Sequence, residues 1–249
     1  MLLPTRRSPS ERLPLLVCFH GWGESLRGVQ RGAFAWSRDY ELGASDAELR
    51  RSPLRREAFL GFVAASRFNT LRADLARRPY QGVAVVAPFT PDVLPAEAGA
   101  LQDAYSDWVV QVLVPRARRE LPVLATREAT GVDGVSLGGF QALTLGFEHP
   151  ELFGVVGALQ PAVNDRVALV LGRHRASPSR PSQRVRLVTS TRDIFRRHIL
   201  ALDAAMSARG IAHDLRVVEG PHDYVFNRGA GGVEMLLFHD RALRGLPAE

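Results

Sequence analysis

The sequence predicts an α/β protein built on one mostly parallel sheet with helices on both faces. Three observations predict it. Short apolar segments bounded by turn residues recur along the chain, and helix-length stretches separate the later ones. Strands alternating with helices of that length imply right-handed crossovers between parallel strands. The chain has 249 residues, within the range that open α/β folds occupy as a single domain, here 1–249.

Strands are expected at 13–19, 83–88, 131–135, 155–159, 185–189 and 215–218. Helices are expected at 101–120, 139–149, 194–209 and 232–244. In the first helix, Ala104, Trp108, Gln111 and Val112 recur at three- and four-residue spacings, and Pro115 should end or kink it. Residues 24–80 form a gap far longer than an ordinary connection. They carry Trp36, Tyr40, Phe59, Phe62 and Phe68, so one or two helices are expected there, forming a cap over a pocket. Residues 172–184, with four arginines and two prolines, read as an exposed basic loop.

Composition narrows the function classes. A hydrophobic fraction of 46% with 23% charged residues is globular rather than disordered. No apolar run approaches the length of a membrane span, and no secretory leader is recognisable, so a cytoplasmic protein without membrane partners is expected. A single cysteine, Cys18, rules out a disulfide framework and a cysteine-based zinc cluster. No metal or cofactor is expected. The net charge is +6, and all 32 basic residues are arginine, a uniform bias that calls for no specific nucleic-acid partner.

Chemistry enters with Gly134-Val135-Ser136-Leu137-Gly138. Gly-x-Ser-x-Gly between a strand and a helix is the pattern of a sharp turn that pushes a serine hydroxyl out of the backbone. The turn His20-Gly21-Trp22-Gly23 follows the first strand directly and can aim backbone amides at the same sheet edge. The N–H groups of Leu137 and Trp22 are the candidate oxyanion donors. In chain order an acid and then a histidine should follow. Asp193 and His222 each lie just beyond a strand, where ligands bind in open parallel sheets. His149, His174, His198, His213 and His239 are less well placed, and His20 is read as a residue shaping its loop. Asp165 is a rival acid, and Asp223 reads as a turn residue.

These features resemble the α/β-hydrolase superfamily. Within it, the run from Asp107 to Pro161, with "VPRARREL" and "GVSLGGFQALTLGFEHPELFGVVGALQP", is similar to the esterase D-like group. That group includes S-formylglutathione hydrolases, feruloyl esterases, siderophore esterases and mycolyl-type acyltransferases. It often has Gly-His followed by tryptophans where this chain has Pro221-His222-Asp223-Tyr224. The resemblance implies a serine carboxylesterase acting on a small or medium ester or thioester through an acyl-serine, with Ser136, His222 and Asp193 as the triad. An acyltransferase would use the same residues, with an alcohol in place of water. A third reading, a non-catalytic polyanion binder, would rely on the arginines of 172–186.

Overall fold

The computed structural model describes residues 1, 11–174 and 181–247. Among them, six strands form one fully parallel sheet in the order β2-β1-β3-β4-β5-β6. The strands are β1 (Leu15–Phe19), β2 (Ala84–Val86), β3 (Thr130–Gly134), β4 (Val155–Leu159), β5 (Arg184–Arg192) and β6 (Asp214–Pro221). All six lie where the apolar runs predict them. The last two run further, because polar residues at their ends hide the strand signal.

Strand β1 is buried throughout, as an interior strand of a two-sided sheet must be. Its side chains alternate: Leu15, Val17 and Phe19 enter one core, while Leu16 and Cys18 enter the other. The chain leaves β1, crosses to the edge strand β2 and returns to β3 on the other side of β1. The carboxyl ends of β1 and β3 therefore flank a switch in strand order, where a crevice opens in sheets of this kind.

The long insertion is more finely divided than expected. It contains α1 (Trp22–Ser25), α2 (Val29–Gly32), α3 (Ala35–Arg38), α4 (Leu42–Leu49), a 3-10 turn at Arg56–Phe59 and α5 (Ala65–Arg77). Single-turn helices complete no hydrophobic period, so spacing does not reveal them. Phe59 is buried with its ring edge-on to Phe68, and Phe62 lies against Phe226.

The helix expected at 101–120 comprises α6 (Gly99–Trp108), a wide π turn at Val109–Leu113 and α7 (Val114–Glu120). The wide turn accommodates Pro115, which lacks an N–H and would clash with the preceding turn of a regular helix. The remaining helices are α8 (Leu137–Glu148), α9 (Val167–Arg173), α10 (Arg196–Ala208), α11 (Tyr224–Phe226) and α12 (Gly232–Ala242).

The ends of the expected basic loop need correction, while Pro181 and Ser182 are exposed as expected. Residues 172 and 173 close α9, and Arg173 pairs with Glu148 at 2.7 Å and Asp103 at 2.9 Å. Gln183 donates to the carbonyls of Gly146 and Phe153, and Arg184 opens β5. Arg186 is buried and bonded to Asp214 at 2.8 Å. Arg175 and Arg180 lie outside the described residues. Among the described arginines of 172–186, these contacts leave no free basic face. No helix among the described residues is long and apolar enough to cross a membrane.

Candidate active site

The turn at Ser136 is fixed from both sides. Gly134 and Gly138 let β3, α8 and β1 approach closely: a Cβ on Gly134 would collide with the Gly138 carbonyl, and one on Gly138 with that of Phe19. Ser136 itself takes φ 58° and ψ −116°, a conformation costly for a residue with a Cβ. Its N–H donates to Leu159 O at 3.0 Å, and its carbonyl accepts from Ala162 N–H at 2.9 Å and Phe140 N–H at 3.1 Å. The strain is thus held by hydrogen bonds to neighbouring elements. Leu137 is the first residue of α8, so its N–H has no partner within the helix.

On the other side of the switch, Trp22 is the first residue of α1 and has a similarly unpartnered position in its own helix. His20 shapes this loop. Its Nε2 accepts from Thr90 N–H at 2.8 Å, so the proton sits on Nδ1 and is donated to Gly21 O at 3.0 Å. Burial lowers the pKa of His20, which favours this neutral form. Ser25 N–H also donates to Gly21 O, at 3.4 Å, while Ser25 Oγ–H donates to Thr90 O at 2.7 Å. Because the peptide is planar, fixing the Gly21 carbonyl fixes the opposite direction of the Trp22 N–H.

At the far strands, His222 Nδ1 and Asp193 Oδ1 are 2.8 Å apart. Asp193 is buried and also accepts from Phe195 N–H at 3.0 Å and, through Oδ2, from Thr189 Oγ1–H at 2.8 Å. The Phe195 ring meets the imidazole edge-on, with centroids 5.1 Å apart. The residue before His222 is anchored as well. Gln160 Nε2 donates to Pro221 O at 2.8 Å and to Ser190 Oγ at 2.7 Å, and Ser190 Oγ–H donates to Pro221 O at 3.0 Å.

Ser136 and His222 line one pocket of about 340 Å³. Trp22, Leu94, Val135, Ala162, Ile194 and Phe195 give it an apolar wall, and Glu24, Tyr40 and Tyr224 a polar one. The insertion reaches this pocket through Glu24 and Tyr40. Of the alternatives, Asp165 is exposed ahead of α9, and Asp223 accepts from Phe226 N–H at 2.8 Å as the cap of α11.

A second histidine–carboxylate pair, His239 with Asp133 at 2.8 Å, lies in the core away from the pocket lining. Cys18 lies beside it, and burial followed by the Asp133 charge pushes its thiol pKa up. A buried thiol shifted that way is a poor nucleophile. Among the described residues no group of three or more His, Cys, Asp or Glu side chains could hold a metal ion.

The family described as "Putative esterase" matches residues 77–226, more than half of the chain. The chain belongs to this esterase family. Its fold is that of the α/β-hydrolases. The esterase superposes on a ferulic acid esterase with a TM-score of 0.63 at 15% identity, covering 94% of this chain and 88% of that one. A fluorophosphonate-binding serine hydrolase of Staphylococcus aureus gives a TM-score of 0.61 at 12% identity, covering 92% and 84%. An S-formylglutathione hydrolase from the same organism gives 0.56 at 12% identity, covering 89% and 82%. No curated protein matches the sequence.

Sequence reasoning overlooked several residues around the esterase's pocket. Thr189, Gln160 and Ser190 hold Asp193 and the His222 turn, and Glu24 with Tyr40 holds the loop after β1. Of these only Glu24 carries a local signal, an acid directly behind the glycine-rich turn.

Proposed function

We propose that the esterase hydrolyses small or medium carboxylic esters or thioesters through an acyl-serine on Ser136. The observation that carries this reading is the 2.8 Å bond between His222 and Asp193 at the pocket that Ser136 lines. Among the described residues no hydrogen bond joins Ser136 Oγ to His222. That contact is commonly long in a free enzyme and tightens when substrate binds.

The chemistry follows from the parts. Asp193 holds His222 with its proton on Nδ1, leaving Nε2 to accept the Ser136 proton as Oγ attacks the ester carbonyl. The N–H groups of Leu137 and Trp22 stabilise the tetrahedral oxyanion, commonly the largest single contribution to such catalysis. His222 then protonates the leaving alkoxide or thiolate, and the acyl group stays on Ser136. Water, deprotonated by the same imidazole, attacks the acyl carbon; the bond to Ser136 Oγ breaks, His222 returns the proton to Oγ, and the carboxylic acid is freed. The apolar wall and the pocket's volume suit a modest acyl or alcohol group.

A chain-length panel of p-nitrophenyl esters tests this reading. Short and medium chains should be turned over and long ones poorly, and Ser136→Ala should abolish turnover of all of them. Unchanged hydrolysis in Ser136→Ala would overturn it. Ester products appearing when an alcohol is added would identify a transferase.

A further inference from the structure

Glu24 lies two residues beyond Trp22 and is 2% exposed at the pocket wall. A buried carboxylate is costly unless it is hydrogen-bonded. Here both bonds come from phenols. Tyr40 O–H donates to Oε2 at 2.5 Å, and Tyr224 O–H donates to Oε1. Each phenol oxygen also accepts: Tyr40 from Gly21 N–H at 3.1 Å, and Tyr224 from Arg27 Nη2 at 3.0 Å. The two rings stack with centroids 5.8 Å apart.

One carboxylate therefore joins the two loops that flank Ser136. Through Tyr40 it holds the Gly21 amide, one peptide before the Trp22 N–H. Through Tyr224 it holds the turn two residues beyond His222. The space at Gly21 is tight: a Cβ there would sit 3.0 Å from both Glu24 Oε2 and Tyr40 Oη, and 3.7 Å from the Ser136 Cβ. A shift of this clamp would move the oxyanion loop against the serine.

We propose that Glu24 is a positioning residue which, through Tyr40 and Tyr224, sets the Trp22 N–H and the His222 ring relative to Ser136. This rests on the serine-esterase reading above. Tyr40→Phe and Glu24→Gln should each lower kcat at least about tenfold with KM changed less than about twofold, since misplacement near the reacting atoms acts on the transition state. Affinity for phenylboronic acid, whose adduct on Ser136 is tetrahedral, should fall by a similar factor. Tyr40→Phe and Tyr224→Phe combined should cost less than the product of the single effects, because both act through one carboxylate.

Lower melting temperatures with kcat and boronate affinity unchanged would show a merely structural clamp and overturn the inference. If Glu24→Gln fails to fold, Tyr40→Phe decides alone, because it keeps the ring against Trp36. A fluorophosphonate probe separates the two failures. Labelling that is lost in Ser136→Ala leaves the serine reading standing whatever the clamp variants do. Labelling that persists there overturns both.

Discussion

Asp193 and His222 come from two neighbouring strand ends, with α10 and all of β6 between them in sequence, and meet at 2.8 Å. Parallel pairing of β5 with β6 brings the two loops to one edge of the sheet. Thr189 and the Phe195 amide then orient the carboxylate toward the imidazole.

Asp193→Asn should leave the fold intact and favour the wrong histidine tautomer. In the serine-protease template the equivalent change lowers turnover about 10⁴-fold. Asp165→Asn should leave turnover close to wild type, since Asp165 is exposed ahead of α9. Asp223→Asn should weaken only the α11 cap, by at most about 1 kcal/mol. Turnover of one ester by the three variants, with folding checked by circular dichroism, ranks the acids.

The tyrosines give a test in alkali. The chain has four, and all four phenols are shifted up, with burial as the first cause. Tyr224 reaches about 12, helped by its hydrogen bond to Glu24. A free phenol is half ionised near pH 10. Folded protein at about pH 10.5 should therefore show little phenolate absorbance, while unfolded protein shows strong absorbance. Because the folded values are raised, this stability is fully present below the unfolded value and is lost as pH rises beyond it. Denaturant midpoints should accordingly fall above about pH 10.

Asp74 tests the packing of α5 on α12. Burial alone would raise its pKa, but hydrogen bonds from Arg78 and Arg241 outweigh burial and lower it. Its Oδ2 accepts from Arg241 Nη2 at 3.0 Å, and both side chains are almost fully buried. Asp74→Asn should cost about 1.5–3 kcal/mol at neutral pH, because the buried Arg241 loses one of its two carboxylate partners and keeps Asp240 at 2.7 Å. The lowered value places the wild-type contribution above the ordinary carboxylate range, and it is lost as pH falls through the folded pKa. Urea unfolding of both proteins at neutral and acid pH measures the difference and its closing.

What the sequence makes legible follows physical rules. Buried parallel strands are continuous apolar runs, so β1 and β4 stand out; β5 hides a buried Arg186 whose partner, Asp214, lies on the next strand. The Gly-x-Ser-x-Gly turn is legible because its glycines answer a local steric need. Chain order and strand ends point to Asp193 and His222. The clamp of Glu24, Tyr40 and Tyr224 is invisible to such reasoning. Its members are scattered along the chain, and only the folded sheet brings β1 and β6 loops together. Gln160 and Thr189 escape notice for the same reason: a polar residue at a strand end has no spacing pattern that names its distant partner.

The most direct test of the serine nucleophile is covalent labelling. Native enzyme treated with a fluorophosphonate probe, digested and mapped by mass spectrometry should carry the label on Ser136 alone, because this half-buried serine lines the same pocket as His222. Ser136→Ala should be unlabelled. A label on another residue, or undiminished labelling of Ser136→Ala, would contradict the account.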